Sequence, residues 1–147
     1  MIARDTSLIH RSSKLGDVPY STADVIHFPQ GIPGFEHLHD FLLVTREECA
    51  PFIFLAAIES PDVALPLLPF ALATDIAVPG LPADAVRLLG ETHGATIGWY
   101  SVVAIGVDAQ EVVANLRAPI VVNLDTHRGS QVILPDETLP LCAPLGG

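Results

Sequence analysis

The chain has 147 residues, half of them apolar and 16% charged, which is enough for one domain with a well-buried core and excludes a disordered chain. Seventeen acids against seven bases leave a formal charge of −10. That balance disfavours direct nucleic-acid binding, which needs clustered Lys and Arg, and would attract a basic partner instead.

Mean hydropathy is +0.46, so a membrane reading has to be tested. Thr92–Val107 contains His93 and three glycines, and Val63–Thr74 is broken by Pro66 and Pro69. Neither supplies the ~20 continuous apolar residues of a spanning helix. Residues Met1–Ser12 read as an N-terminal extension. Arg4, Asp5, His10 and Arg11 leave no apolar core for a signal peptide, so a cytoplasmic protein is expected, with one domain over 13–147. Cys49 and Cys142 lie far apart outside any C-x-x-C pattern and are expected as free thiols.

In chain order, short β-type runs recur at Val25–Phe28, Phe41–Thr45, Phe52–Ile58, Val63–Leu68, Thr96–Val107, Val112–Ala114, Pro119–Leu124 and Gln131–Leu134. Many short strands punctuated by turn residues predict a sandwich or barrel. Thirteen prolines and eleven glycines suit the connections of such a fold better than a helical bundle. A helical turn is expected at Phe35–Asp40, and a helix at Ala83–Leu89 with Pro82 in its first turn, Val86, Leu88 and Leu89 as its apolar side, and Gly90 as its stop. Along Thr96–Val107, Ile97, Trp99, Val103, Ile105 and Val107 share one face. The other face, with Gly98, Tyr100, Val102, Ala104 and Gly106, is mostly small, and the bulky set is expected to face the core. Asp125–Gly129 reads as a hairpin connection, with Gly129 supplying positive φ.

Signals for catalysis are weak. His37 and His39, flanked by Glu36 and Asp40, are the best metal candidates, but two histidines need a third ligand in a held geometry. A hydrolytic set could draw on Ser101 or Ser130 with His93, His127 and Asp125, yet no G-x-S-x-G surrounds either serine. The expectation is a protein with no catalytic centre, no metal and no cofactor. A small metal-dependent hydrolase built on Asp125, His127 and His93 is the rival from another class.

Three segments carry a more specific signal: Gly31-Ile32-Pro33-Gly34-Phe35, Asn115-Leu116-Arg117-Ala118-Pro119-Ile120-Val121-Val122-Asn123, and Gly129-Ser130-Gln131-Val132-Ile133-Leu134. Together they resemble the FliW family, with its G-I-P-G-F corner, N-L-x-A-P-I-V-x-N strand and G-x-Q-V-I-L strand in this order. Gly16-Asp17-Val18 with Asp24–Phe28 resembles the family's opening strand pair, Pro51–Leu55 its central strand, and Ala143-Pro144-Leu145 its ending. The likeness covers Ser13 to Leu145. Where the family often has Gln-Ser after the central strand, this chain has Ala56-Ala57, and Pro66 is an extra proline.

The resemblance implies an all-β fold with minor α content, a compact β-barrel-like domain of short antiparallel strands with one or two short helices. It also implies a binding role as a flagellar assembly factor. Such a protein would bind flagellin as a cytoplasmic chaperone and antagonise the translational regulator CsrA by protein–protein contact. Partner-binding candidates on the matched segments are Gly31, Ile32, Pro33, Phe35, Glu36, Asn115, Arg117, Asn123 and Gln131. A monomer is expected, and a FliW-fold protein with a different protein partner is the nearer alternative.

Overall fold

The computed structural model describes residues 8–105 and 112–145. The opening hairpin is β1 (Leu8–Ser12) and β2 (Gly16–Tyr20), paired antiparallel from Leu8↔Tyr20 to Ser12↔Gly16. The first five residues of that hairpin belong to the stretch expected as an extension. A single turn of 3-10 helix follows, fixed by a capping box in which Ser21 Oγ accepts from Ala23 N–H and the Asp24 carboxylate accepts from Ser21 N–H.

The chain then winds through β3 (Ile26–His27), β4 (Asp40–Thr45), β5 (Ile53–Ala57), β6 (Ala64–Pro69), α1 (Phe70–Ala73), α2 (Ala83–Leu89) and β7 (Ile97–Ile105). It ends with β8 (Val112–Ala114), β9 (Ile120–Asn123), β10 (Arg128–Gln131) and β11 (Ala143–Leu145). The sheet runs β7-β6-β5-β4-β3-β10-β9, and a further pairing of β9 with β7 closes it into a seven-stranded barrel. Closure removes the free edges that an open sheet would expose. Strands β8 and β11 extend from β7 outside the ring. Among the described residues no helix is long and apolar enough to cross a membrane.

The period-2 rule sends alternate side chains into the barrel. Phe28, Phe41, Leu55, Ala57, Leu67, Ile120 and Val122 are wholly buried there, joined by Tyr100 and Val102 from β7. Phe28 and Phe41 meet edge to face with centroids 5.0 Å apart. Their alternates are covered from outside. Leu42, Val44 and Ala56 lie under Val18 and Tyr20 of the opening hairpin. Val121 lies under Ala85 and Leu89 of α2, and Val103 under α1, β8 and β11. Both members of the Ala56-Ala57 pair are fully buried, so this departure from the family pattern changes the interior rather than the surface.

Several expectations are corrected here. In β7 the smaller set, with Tyr100 and Val102, faces the barrel interior. Trp99 and Val103 pack beneath the outer layers, and Ile105 is exposed. A barrel wrapped on its outside buries both faces, so bulk does not mark the inner one. Gly106 and Val107 of that expected strand lie outside the described residues.

Over Phe35–Asp40 a single turn forms, closed by Leu38 N–H donating to Phe35 O, and no helix continues from it. Phe28 N–H bonds to His39 O and His39 N–H to the Glu59 carboxylate, which commits that backbone to cross-strand partners. Helix α2 spans the expected residues and ends at Gly90 with φ +79°, but its buried side is Ala85 and Leu89, with Val86 exposed. In the β9–β10 turn, positive φ falls on His127 (φ 57°) rather than Gly129. Gly129 is required for space instead, because a Cβ there would lie 2.5 Å from the Phe28 ring.

Candidate functional site

Strands β8 and β9 lie along the same edge of β7 but in different registers: Ala114 pairs with Val103, and Ile120 with Tyr100. Six steps along one chain therefore match three along the other, and the surplus loops out at Asn115–Pro119 as a large bulge. Several polar groups of that segment are held by internal hydrogen bonds. Asn115 Oδ1 accepts from the N–H of Arg117 and Ala118, both at 3.0 Å. The Arg117 guanidinium donates to Leu139 O (2.8 Å) and Glu137 O (2.7 Å), which ties the 135–141 segment to the bulge. Leu116 turns inward against Phe70 and Val103.

At the far end of β9, Asn123 is fully buried and holds three segments at once. Its Nδ2 donates to Leu89 O and Glu91 O, and its Oδ1 accepts from Asp125 N–H and Thr126 N–H. Thr126 Oγ1 donates to the same Leu89 O. The C-terminal end of α2 is thereby anchored to the hairpin. Gln131 Nε2 donates to Ala118 O, closing the other side of the bulge.

This frame presents an open groove of about 640 Å³ between the 76–82 connection and the 133–139 segment, lined by Ile76, Leu81, Ile133, Leu134, Leu139 and Asp136 among others. Pro82 and Ile133 also line a smaller recess beneath α2, which contains Gln30, Asp84 and Gln131. Ile133 is 71% exposed, and Ile76 and Val78 are about half exposed. Contiguous apolar exposure of this kind marks interaction surfaces, whereas scattered exposed residues do not. Asp136 accepts from the hydroxyl and the N–H of Thr138, which holds its carboxyl below the usual aspartate range and keeps a negative charge at the rim.

A second cavity, about 380 Å³, lies between β2 and β4 and is lined by Tyr20, Asp24, Arg46 and His127. Arg46 is already engaged, its guanidinium donating to Leu15 O and Asp17 O.

The model of the FliW protein family matches residues 10–145, nearly the whole chain. The chain belongs to the FliW family. A flagellar assembly factor FliW from Thermotoga neapolitana is 35% identical over 124 residues, covering 84% of this chain and 83% of that protein. Its counterpart from Caldicellulosiruptor saccharolyticus is 33% identical over 132 residues, covering 89% and 86%, and that from Clostridium tetani is 33% identical over 131, covering 88% and 90%. A crystal structure of the flagellar assembly factor FliW superposes with a TM-score of 0.85 at 26% identity, covering 95% of this chain and 98% of that one. The all-β barrel expected from the family likeness is the fold observed.

The FliW segments place the nine candidate residues unevenly. Gly31 and Ile32 are buried and Asn123 is wholly so, so none of the three presents its side chain at the surface of the chain. Gly31 has φ +66°, and a Cβ there would lie 2.7 Å from the Glu36 backbone. Pro33 and Glu36 are exposed and Phe35 is half-buried on the barrel core. Glu36 accepts from Gly34 N–H, which lowers its carboxyl pKa. Asn115, Arg117 and Gln131 are half-buried, with the internal bonds described above.

Sequence reasoning passed over Ile133, Ile76 and Asp136. Ile133 stood inside a matched segment, and its place in an alternating run was the available signal.

The residues of the rival hydrolytic reading are dispersed in their bonding. Ser101 is buried in β7 with its hydroxyl unpartnered, and Ser130 Oγ donates weakly to Gln131 O. Asp125 accepts from Thr96 N–H, and His93 is exposed. His37 is exposed, while His39 Nδ1 lies 2.9 Å from Phe28 O and His27 Nδ1 lies 2.9 Å from the Asp40 carboxylate. Among the described residues no three His, Cys, Asp or Glu side chains gather as a metal site.

Proposed function

We propose that this chain is a cytoplasmic flagellar assembly factor that binds flagellin as a chaperone and, in exchange, binds the translational regulator CsrA and opposes its action on RNA. The observation that carries this reading is family membership over residues 10–145 together with a barrel that superposes on a FliW crystal structure. A binding role accords with the molecule's chemistry: Asn115, Arg117, Asn123 and Gln131 hold the bulge and hairpin with internal bonds, and an exposed apolar groove lies beside them.

The formal charge of −10 supports the CsrA arm, because an acidic protein docked beside a basic RNA-binding surface competes electrostatically with phosphate. That effect reaches about one Debye length, ~8 Å at physiological salt.

Titration calorimetry of the purified protein against flagellin and CsrA from the same organism tests this. The expected outcome is saturable binding to each, mutual competition, and a CsrA affinity that falls as salt rises. Binding to flagellin alone removes the translational arm. Absence of binding to both overturns the proposal, and salt-independent CsrA binding removes its electrostatic part.

A further inference from the structure

We infer that the groove between Ile76–Pro82 and Ile133–Leu139 docks an extended segment of a partner protein that presents aliphatic side chains beside a lysine or arginine. The inference deepens the protein-binding role proposed above and rests on it for the identity of the partner.

Three observations converge. The first is apolar: Ile76, Leu81, Ile133 and Leu139 line one continuous recess, with Ile133 mostly in solvent. The second lies in the backbone. Val132 N–H donates to Pro119 O and Leu134 N–H to Arg117 O, both toward the bulge. Strand alternation then turns the N–H and C=O of Ile133 the opposite way, where an incoming extended chain can pair with them. A helical occupant could not use those groups, since its own backbone bonds are internal.

The third observation is charge. Asp136 lines the groove and Asp84 the adjoining recess, and Asp75 and Glu137 are the sequence neighbours of Ile76 and Asp136. Of the two nearby cations, Arg87 neutralises Asp84, and Arg117, whose bonds to the Leu139 and Glu137 carbonyls leave its charge intact, offsets one of the three remaining acids, Asp75, Asp136 and Glu137. The rim therefore holds surplus negative charge, complementary to a basic flank. The same charge argues against the other occupants of an apolar groove. A second copy of this chain also carries −10, and an anionic membrane surface repels it likewise.

The test uses the full chain labelled with nitrogen-15 and two acetylated ten-residue peptides of the same Val, Ile and Thr content. One peptide has two lysines where the other has two glutamates. The lysine peptide is expected to shift the amide signals of Leu81, Ile133 and Leu139, and to bind on the order of tenfold more tightly than its acidic twin at low salt. Ile133→Ser should abolish those shifts, and Asp136→Asn should narrow the difference between the peptides. Ile133 is mostly exposed, so the rest of the spectrum of Ile133→Ser should overlay the parent and show it folded.

Equal affinity for both peptides, no shifts with either, or shifts that survive Ile133→Ser would overturn the inference. So would a concentration-dependent dimer dissolved by Ile133→Ser, which would assign the groove to a second copy. Flagellin titration of the same variant separates the two claims. If the parent binds flagellin and Ile133→Ser binds it equally well, the groove fails and the role stands. If the parent binds neither flagellin nor CsrA, the role fails and the peptides alone decide the groove.

Discussion

The two walls of the groove are built in opposite ways. The wall that begins at Ile133 is backed by the Asn115–Pro119 bulge and braced by Arg117, with backbone and side-chain bonds running into the barrel. The facing wall, 76–82, is an irregular connection between α1 and α2 that carries Pro79, Gly80 and Pro82 and leaves Ile76 and Val78 about half exposed. In the first wall polar side chains are consumed to fix shape. In the second, prolines restrain the backbone while apolar side chains remain outside. The recognisable residues of the family pattern thus lie mainly on the braced side, and they set the position of a surface more than they form it.

Breaking the braced side should cost stability. Asn123→Ala removes four hydrogen bonds from a fully buried site and leaves Glu91 O and the Asp125 and Thr126 N–H groups to find other partners, while Leu89 O keeps only its bond from Thr126 Oγ1. A loss of about 3–4 kcal/mol is expected, read from the urea midpoint. Gly129→Ala drives a methyl group into the Phe28 ring inside the barrel and should cost about 1–3 kcal/mol, seen as a lower thermal midpoint. A midpoint unchanged in either variant would refute the account of that residue.

Arg117→Ala should be milder, about 1–2 kcal/mol, because its two bonds to carbonyls are only partly shielded from water. Its distinguishing sign would be faster hydrogen exchange in the 135–141 segment, which that side chain holds to the bulge. By contrast, Ile133→Ser should change stability by less than about 0.5 kcal/mol in the same urea experiment. A large loss there would place Ile133 in the fold rather than at the surface and would dissolve the contrast between the walls.

The smallest effect concerns pH. The folded-state pKa of Asp136 is depressed by its bonds from Thr138, so its stabilising contribution is present above the unfolded value, about 3.9, and fades as pH falls through the lower folded value. A carbon-13 carboxyl titration should place Asp136 below an ordinary aspartate. Thr138→Ala removes the hydroxyl donor but keeps the N–H, so it should raise the midpoint part of the way back, and an unmoved midpoint would show that the hydroxyl is not a cause.

Much of the β architecture was legible in the chain. Val112–Ala114 and Ala83–Leu89 form the elements their patterns predict, with the predicted bounds, because local punctuation by Pro82, Gly90 and Asn115 leaves little alternative. The Phe35–Asp40 segment goes no further than one turn because its end is taken by partners distant in sequence, the Phe28 backbone and the Glu59 carboxylate. The groove was scarcely legible, since Ile76 and Ile133 are 57 positions apart and become neighbours only when the chain closes on itself.

By itself, the sequence determined the strand-rich composition, the acidity, the places where the chain must turn, and membership of a family whose signature spans nearly every residue. Those depend on local backbone preference and on composition, which need no partner in space. Tertiary structure alone decided which face of β7 looks into the barrel, because wrapping the outside with a hairpin, helices and extra strands makes both faces apolar. It decided that position 129 must be glycine for space, since the Phe28 ring lies where its Cβ would be, while positive φ falls on His127. It also decided that Asn123 is an internal clasp while Ile133, ten residues on, stands in water. Alternation assigns a residue to one of two sides, but only the closed barrel and its covering layers settle what each side meets.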